Sequence, residues 1–169
     1  MKLIEINKKR YRAHLNRIIT ACILSLAIGS LGIAQTLIAL FPSSSGSHFH
    51  WNLIGVIITS LCLGFILIKY KNHSFMAEVA YVWDLKQALN KITRKMRKVR
   101  QGVERGDIPA MQALNFYYAG SRQLWHLDDN NITLDELTLW QADLNSQAKK
   151  YNIVLDVSQY DVQILSNLN

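Results

Sequence analysis

Two stretches of this 169-residue sequence, Ile18–Phe41 and Leu53–Ile68, lack Asp, Glu, Lys, Arg and His. As helices they would be roughly 36 Å long and, with Trp51 and Asn52 added to the second, roughly 27 Å long, close to the ~30 Å hydrocarbon core of a bilayer. A helix in a soluble core would carry a polar stripe, and neither stretch has one. The sequence therefore predicts a transmembrane hairpin over residues 18–70, with spans at about 18–41 and 51–69.

Residues that could carry chemistry are also scarce. Cys22 and Cys62 are the only cysteines, and both lie in the apolar stretches, where small side chains suit helix packing. His48 and His50 form a His-x-His pair, but a closed metal site needs about four ligands. Neither stretch has an ionisable residue that would indicate ion coupling. The sequence shows no nucleophile elbow and no phosphate-binding loop. We therefore expect no catalytic residue, metal, cofactor or small-molecule substrate.

Positive charge is absent from the turn between the two stretches and abundant outside it. Six basic residues and only Glu5 precede the first stretch, Pro42–His50 has no Lys or Arg, and Lys69 and Lys71 follow the second. Because basic segments resist translocation, residues 1–17 form a basic cytoplasmic leader and both termini are expected in the cytoplasm. A cleaved signal peptide, cut near Ser43–Gly46, is the less favoured alternative because the first stretch exceeds the usual 7–15 apolar residues.

Small residues recur at every fourth position in both stretches, a spacing that lets helices approach closely in lipid. They suit hairpin closure, self-association or docking on a larger membrane complex, although small residues are common in spans by chance. The candidate packing residues are Ala21, Ser25, Gly29, Gly55, Thr59, Ser60 and Gly64.

A helical repeat begins after Tyr70. From Val82 onward the apolar positions alternate in steps of three and four, without Pro or Gly before Gly102, which predicts one continuous helix with a heptad seam. Two further helices are predicted at about Ile108–Leu127 and Leu134–Tyr151, the latter capped by Thr133 with Glu136. Residues 71–152 are thus expected to form a cytoplasmic antiparallel three-helix domain of an all-α protein, and the tail 153–169 shows no strong pattern. The seam consists of Val82, Leu85, Leu89, Ile92, Met96, Val99 and Val103.

Basic residues crowd the predicted seam helix. They can form a solvated helix face, or contact anionic lipid at about 1 kcal/mol per residue that reaches the surface. Nucleic-acid binding is the least favoured interpretation because no recognition module is present. No nucleic-acid partner is therefore expected. The candidate lipid-contacting residues are Lys69, Lys71, Lys91, Arg94, Lys95, Arg97 and Lys98.

Aromatic residues crowd the following helix. They suit either a docking face for another protein or, the favoured alternative, an aromatic core with edge tyrosines. The candidate docking residues are Phe116, Tyr117, Tyr118, Arg122 and Trp125.

Three segments, IEINKKRYRAHLNR, HSFMAEVAYVWDLKQALNKI and GDIPAMQALNFYYAGSRQLWHLDDN, resemble a family of short two-span bacterial membrane proteins of unknown function. The resemblance implies a location in the bacterial inner (cytoplasmic) membrane and transfers no activity. The leading hypothesis is a non-enzymatic adapter or accessory subunit whose partners are membrane lipid and other membrane proteins. The alternative is a membrane-surface sensor or scaffold, in which two copies pair through the Val82–Val103 seam and the basic helix contacts anionic lipid.

Overall fold

A computed structural model of the protein describes residues 1–42, 47–130 and 134–166. This part of the chain is all-helical, with two long apolar helices ahead of a helical domain, which confirms the predicted fold class. Ser43–Gly46 and Thr133 lie outside the described residues. The α-helices are α1 (Lys8–Leu40), α2 (Phe49–Tyr70), α3 (Ala77–Arg94), α4 (Met96–Glu104), α5 (Ile108–Leu127) and α6 (Leu134–Lys150), with 3-10 helices at Ser74–Met76, Val157–Gln159 and Val162–Ser166.

The chain divides into two compact units. We call Lys9–Ala80 the hairpin unit, and Met1–Lys8 together with Tyr81–Asn169 the helical unit. The first eight residues thus group with the later helices, whereas the charge pattern of the sequence predicts a separate leader over residues 1–17.

Both apolar helices of the hairpin unit are long and hydrophobic enough to cross a membrane. In the most apolar 18-residue stretch of α1 only 6% of the residues are buried, and in that of α2 only 11%. A core helix of a globular protein would be mostly covered, so these two helices expose apolar surface over most of their length.

Small side chains let α1 and α2 pack closely. Gly55 lies against the backbone of Ser30, so that a Cβ atom added to it would stand 2.5 Å from the Ser30 carbonyl oxygen. Gly29 lies in the same way against the side chain of Thr59. Of the candidate packing residues, Gly29, Gly55 and Thr59 therefore form the contact between these helices.

The other candidate packing residues lie away from this contact. Ala21, Ser25 and Ser60 are exposed. If a Cβ atom were added to Gly64, no atom outside the backbone of its own helix would lie within 4 Å of it. Ala21 and Ser25 instead line an apolar groove of about 420 Å³ opposite Leu63 and Leu67 of α2.

The seam residues line the interior of the helical unit. All are buried except the half-buried Met96. The prediction of one continuous helix is wrong, because α3 ends at Arg94 and α4 begins at Met96. Lys95, at the break, has φ −111° and ψ 11°. Its Nζ donates to the carbonyl oxygen of Leu165, a contact 70 residues away in sequence that no local pattern signals.

Helix α5 is the centre of the helical unit. Every residue from Ala110 to Phe116 is buried. Gly102 of α4 lets the backbones approach, since a Cβ there would stand 2.6 Å from Cβ of Ala110. The buried Asn115 accepts a hydrogen bond from Nε2 of Gln141 in α6 at 3.1 Å. A helix covered on so many sides needs neighbours all around it.

The tail supplies one of those neighbours. Tyr160 is buried and stacks on Phe116 with ring centroids 4.2 Å apart. Nε2 of Gln112 donates to the Val154 carbonyl oxygen at 2.8 Å, and its Oε1 accepts from the backbone N–H of Asp156 at 3.0 Å. The tail is therefore part of the core, although its sequence has no clear periodicity.

The first residues of the chain are also bound to the helical unit. The backbone N–H of Ile4 donates to the Tyr81 hydroxyl at 3.0 Å, and Nε2 of Gln123 donates to the Ile4 carbonyl oxygen at 2.6 Å. The Tyr81 hydroxyl in turn donates to Oε1 of Gln123 at 3.0 Å, and Lys8 pairs with Asp129. These contacts hold the start of the chain on α3 and α5.

The close contact at Gly55 predicts that alanine substitutions at Gly55 and Gly64 change the stability of the protein differently. Gly55→Ala should destabilise the protein by about 1–3 kcal/mol, because the added methyl group has no room beside the Ser30 carbonyl. Gly64→Ala should be neutral or stabilising by up to about 1 kcal/mol, because it restricts the unfolded chain without a clash. Thermal unfolding of the full chain in detergent would measure both, and equal effects would contradict the assigned contact.

Candidate functional site

An exposed stripe runs along α3 on the side opposite the seam. It consists of Trp83, Gln87, Asn90 and Arg94, spaced four, three and four residues apart, and we call it the α3 face. Trp83 is 62% exposed, a large value for a side chain of this size in a helical domain. Trp83 is not among the candidate residues predicted from the sequence, although its position between the seam residues Val82 and Leu85 places it off the buried side of the helix.

Basic side chains adjoin and extend this stripe into α4. Lys91, Arg94, Arg97 and Lys98 are exposed, and we call them the basic surface. None of the four forms an ion pair with a residue in the described ranges. Their charges are therefore free to attract an anionic partner.

Two other basic residues of this region have partners within the chain. Lys95 was a candidate for lipid contact, but it is half-buried and its Nζ donates to the Leu165 carbonyl oxygen. Lys86 pairs with Asp128 at 3.1 Å. The prediction for Lys95 is therefore wrong, because its ammonium group binds the tail.

The remaining candidate cations belong to the hairpin unit. Lys69 and Lys71 are exposed at the end of α2. Nζ of Lys69 lies 6.0 Å from the ring centroid of Tyr70. Lysine at the last turn of a helix also interacts favourably with the helix dipole.

The candidate docking residues of α5 do not form an exposed aromatic patch. Phe116 and Tyr118 are buried, so the docking interpretation is wrong for both. Tyr117 and Trp125 are half-buried, and Arg122 is exposed with its Nη2 3.4 Å from the Thr138 hydroxyl. The aromatic residues of α5 mainly fill the core.

A buried carboxylate ties the start of α3 to α1 within the hairpin unit. Glu78 is 8% exposed, pairs with Arg10, and has Oε2 3.3 Å from Nδ1 of His14. The His14 ring stacks on Phe75 at 4.2 Å. Burial alone would raise the pKa of Glu78, but the hydrogen bond from its own backbone, Arg10 and His14 together hold that pKa below its usual value near 4.5. Because Arg10 is 64% exposed, water screens part of this interaction.

This pKa shift predicts a pH-dependent contribution to stability. A carboxylate with a lowered folded-state pKa stabilises the fold above its unfolded pKa and loses that contribution as the pH falls through the folded value. Glu78→Gln should therefore cost about 1 kcal/mol at pH 7 and progressively less below about pH 4.5. Thermal unfolding in detergent across pH would measure this. Glu5→Gln, at an exposed carboxylate, is the control, and a pH-independent effect of Glu78→Gln would contradict the assignment.

Comparison with known proteins identifies a family without an assigned activity. The profile of a family described as "Protein of unknown function (DUF3087)" matches residues 1–165. No curated protein and no solved structure matches the chain. The match confirms the resemblance to an uncharacterised family, and it covers both units almost completely. The chain therefore belongs to the DUF3087 family of proteins of unknown function.

Proposed function

We propose that the protein is a non-enzymatic adapter of the bacterial inner membrane. In this proposal α1 and α2 span the bilayer and both termini lie in the cytoplasm. The helical unit binds an acidic segment of another membrane protein through the α3 face and the adjoining basic surface.

The exposed apolar surface of α1 and α2 supports the membrane location. Lipid or neighbouring spans would cover this surface, whereas water would leave it unfavourably solvated. The close contact at Gly55 is of the kind that holds helices together where lipid supplies no hydrophobic contrast.

Contacts within the hairpin unit support the orientation. Arg10 and His14, near the start of α1, contact Glu78 and Phe75, which follow α2. Both ends of the hairpin therefore lie on one side of it. The basic residues that flank these ends, and the absence of Lys and Arg from Pro42–His50, favour the cytoplasm for that side.

Exposure of Trp83 beside unpaired cations is the observation that carries the docking proposal. Tryptophan and arginine are the residues most enriched where binding energy concentrates at protein interfaces. Four cations without ion pairs in the described part of the chain would steer an acidic segment to this site. The seam is less suitable for pairing two copies, because its side chains are already buried within one chain.

A photoreactive residue at position 87 of the full chain, expressed in its native membrane, would test this proposal. Gln87 lies between Trp83 and Arg94 on the α3 face, so irradiation should give one defined protein adduct that maps to an acidic segment. The same residue at exposed position 136 of α6 should not give that adduct. An adduct with lipid alone would support the membrane-surface alternative and contradict the adapter.

The α3 face also gives a prediction for variants. Trp83→Ala combined with Arg94→Glu should lower the yield of the adduct at least about tenfold, because truncating an interface tryptophan commonly costs about 2 kcal/mol or more. Leu139→Ala with Lys149→Glu changes the same kinds of exposed residue on α6 and should leave the yield unchanged. Equal yields from both double variants would show that the adduct does not depend on this surface.

A further inference from the structure

A polar groove of about 210 Å³ lies between α4, α5 and α6 of the helical unit. Arg100 and Glu104 come from α4, Trp140 and Asp143 from α6, and Tyr118 from the central helix α5. Val103, Leu114 and Gln147 complete its lining. The groove is distinct from the α3 face, and the inference drawn from it does not depend on the proposed adapter function.

Tyr118 is the least exposed polar residue of this groove. Its side chain is 5% exposed, yet its hydroxyl makes no hydrogen bond to any residue of the described chain. Its ring lies 6.3 Å from that of Trp140. Burial raises the pKa of Tyr118, Arg100 lowers it by a smaller amount, and Asp143 raises it, so the phenol keeps its proton at neutral pH. The hydroxyl borders the groove, where a polar atom of a ligand can bond to it.

The charged groups around the groove are also unpaired. Arg100, Glu104 and Asp143 form no ion pair within 4.0 Å among residues 1–42, 47–130 and 134–166. Arg100 and Glu104 remain apart even though they lie one turn from each other on α4, a spacing that commonly brings opposite charges together. The groove thus presents one cation and two anions to a ligand.

We propose that this groove binds a small basic zwitterion with the chemistry of a cationic α-amino acid. The ligand carboxylate binds the guanidinium of Arg100, and its two cationic groups bind Asp143 and Glu104. One of those cations also lies against the Trp140 ring, where a cation–π interaction is available, and the Tyr118 hydroxyl bonds a polar atom of the ligand. The volume is below the ~300–1,000 Å³ typical of sites for drug-sized ligands, which suits a single amino acid.

The assignment of ligand groups can be tested by calorimetric titration of the full chain in detergent with three probes. L-Arginine carries the carboxylate and both cations and should bind saturably. Agmatine lacks the carboxylate and should bind about tenfold more weakly, the effect of losing one charge-assisted contact. L-Glutamate has the opposite net charge and should not bind.

Variants separate the groove from the general charge of the protein. Asp143→Asn should weaken L-arginine binding about tenfold or more, whereas Asp135→Asn, at an exposed acid on the same helix, should leave it unchanged. Arg100→Gln should weaken L-arginine binding but not agmatine binding, and Arg97→Gln should affect neither. Tyr118→Phe removes only the hydroxyl and should weaken binding severalfold. Circular dichroism and thermal unfolding would show that each variant folds.

Three results would overturn the proposal. They are the absence of saturable L-arginine binding, equal affinities for L-arginine and agmatine, and equal losses in groove and control variants. The photoadduct at position 87 is measured separately. If the groove does not bind L-arginine, the adapter proposal is therefore unaffected, and if no protein adduct forms, the ligand proposal for the groove is unaffected.

Discussion

The need to cover α5 on nearly all sides organises the helical unit. An ordinary surface helix has one apolar stripe, but α5 is buried continuously from Ala110 to Phe116 and at further positions beyond. The seam of α3 and α4, the inner side of α6 and the tail each cover part of it. The buried amide groups of Gln112 and Asn115 are satisfied by the tail and by α6, so these neighbours provide polar partners as well as apolar contact.

The hairpin unit depends on a different constraint. Its helices expose apolar surface almost everywhere, so only a small part of that surface is buried between them. Close approach at Gly29 and Gly55 supplies dispersion contacts instead. The cluster of Glu78, Arg10 and His14 then adds a polar contact beyond the apolar segments, where water is available to screen it.

Both functional proposals concern surfaces of the helical unit that remain accessible once its helices are packed. On α3, the side opposite the seam keeps Trp83 and several cations outside, because the seam fixes which side of the helix is buried. Between α4 and α6, charged groups line the groove together with Tyr118, most of which is buried in the core. Both surfaces therefore follow from how α5 is enclosed, although they have different chemistry.

The sequence by itself determined the features that depend on local pattern. Uncharged runs of sufficient length identify α1 and α2, and a three-and-four spacing identifies the buried side of α3 and α4. Small residues gave seven candidates for helix packing, and only the structure shows that Gly29, Gly55 and Thr59 form the contact. Only the tertiary structure decided the features that depend on distant residues. Lys95, at the break between α3 and α4, contacts Leu165, Tyr160 stacks on Phe116, and Ile4 is bound by Tyr81 and Gln123. The groove around Tyr118 draws its lining from three helices. Such contacts have no period along the chain, because they arise when separate helices enclose the same core.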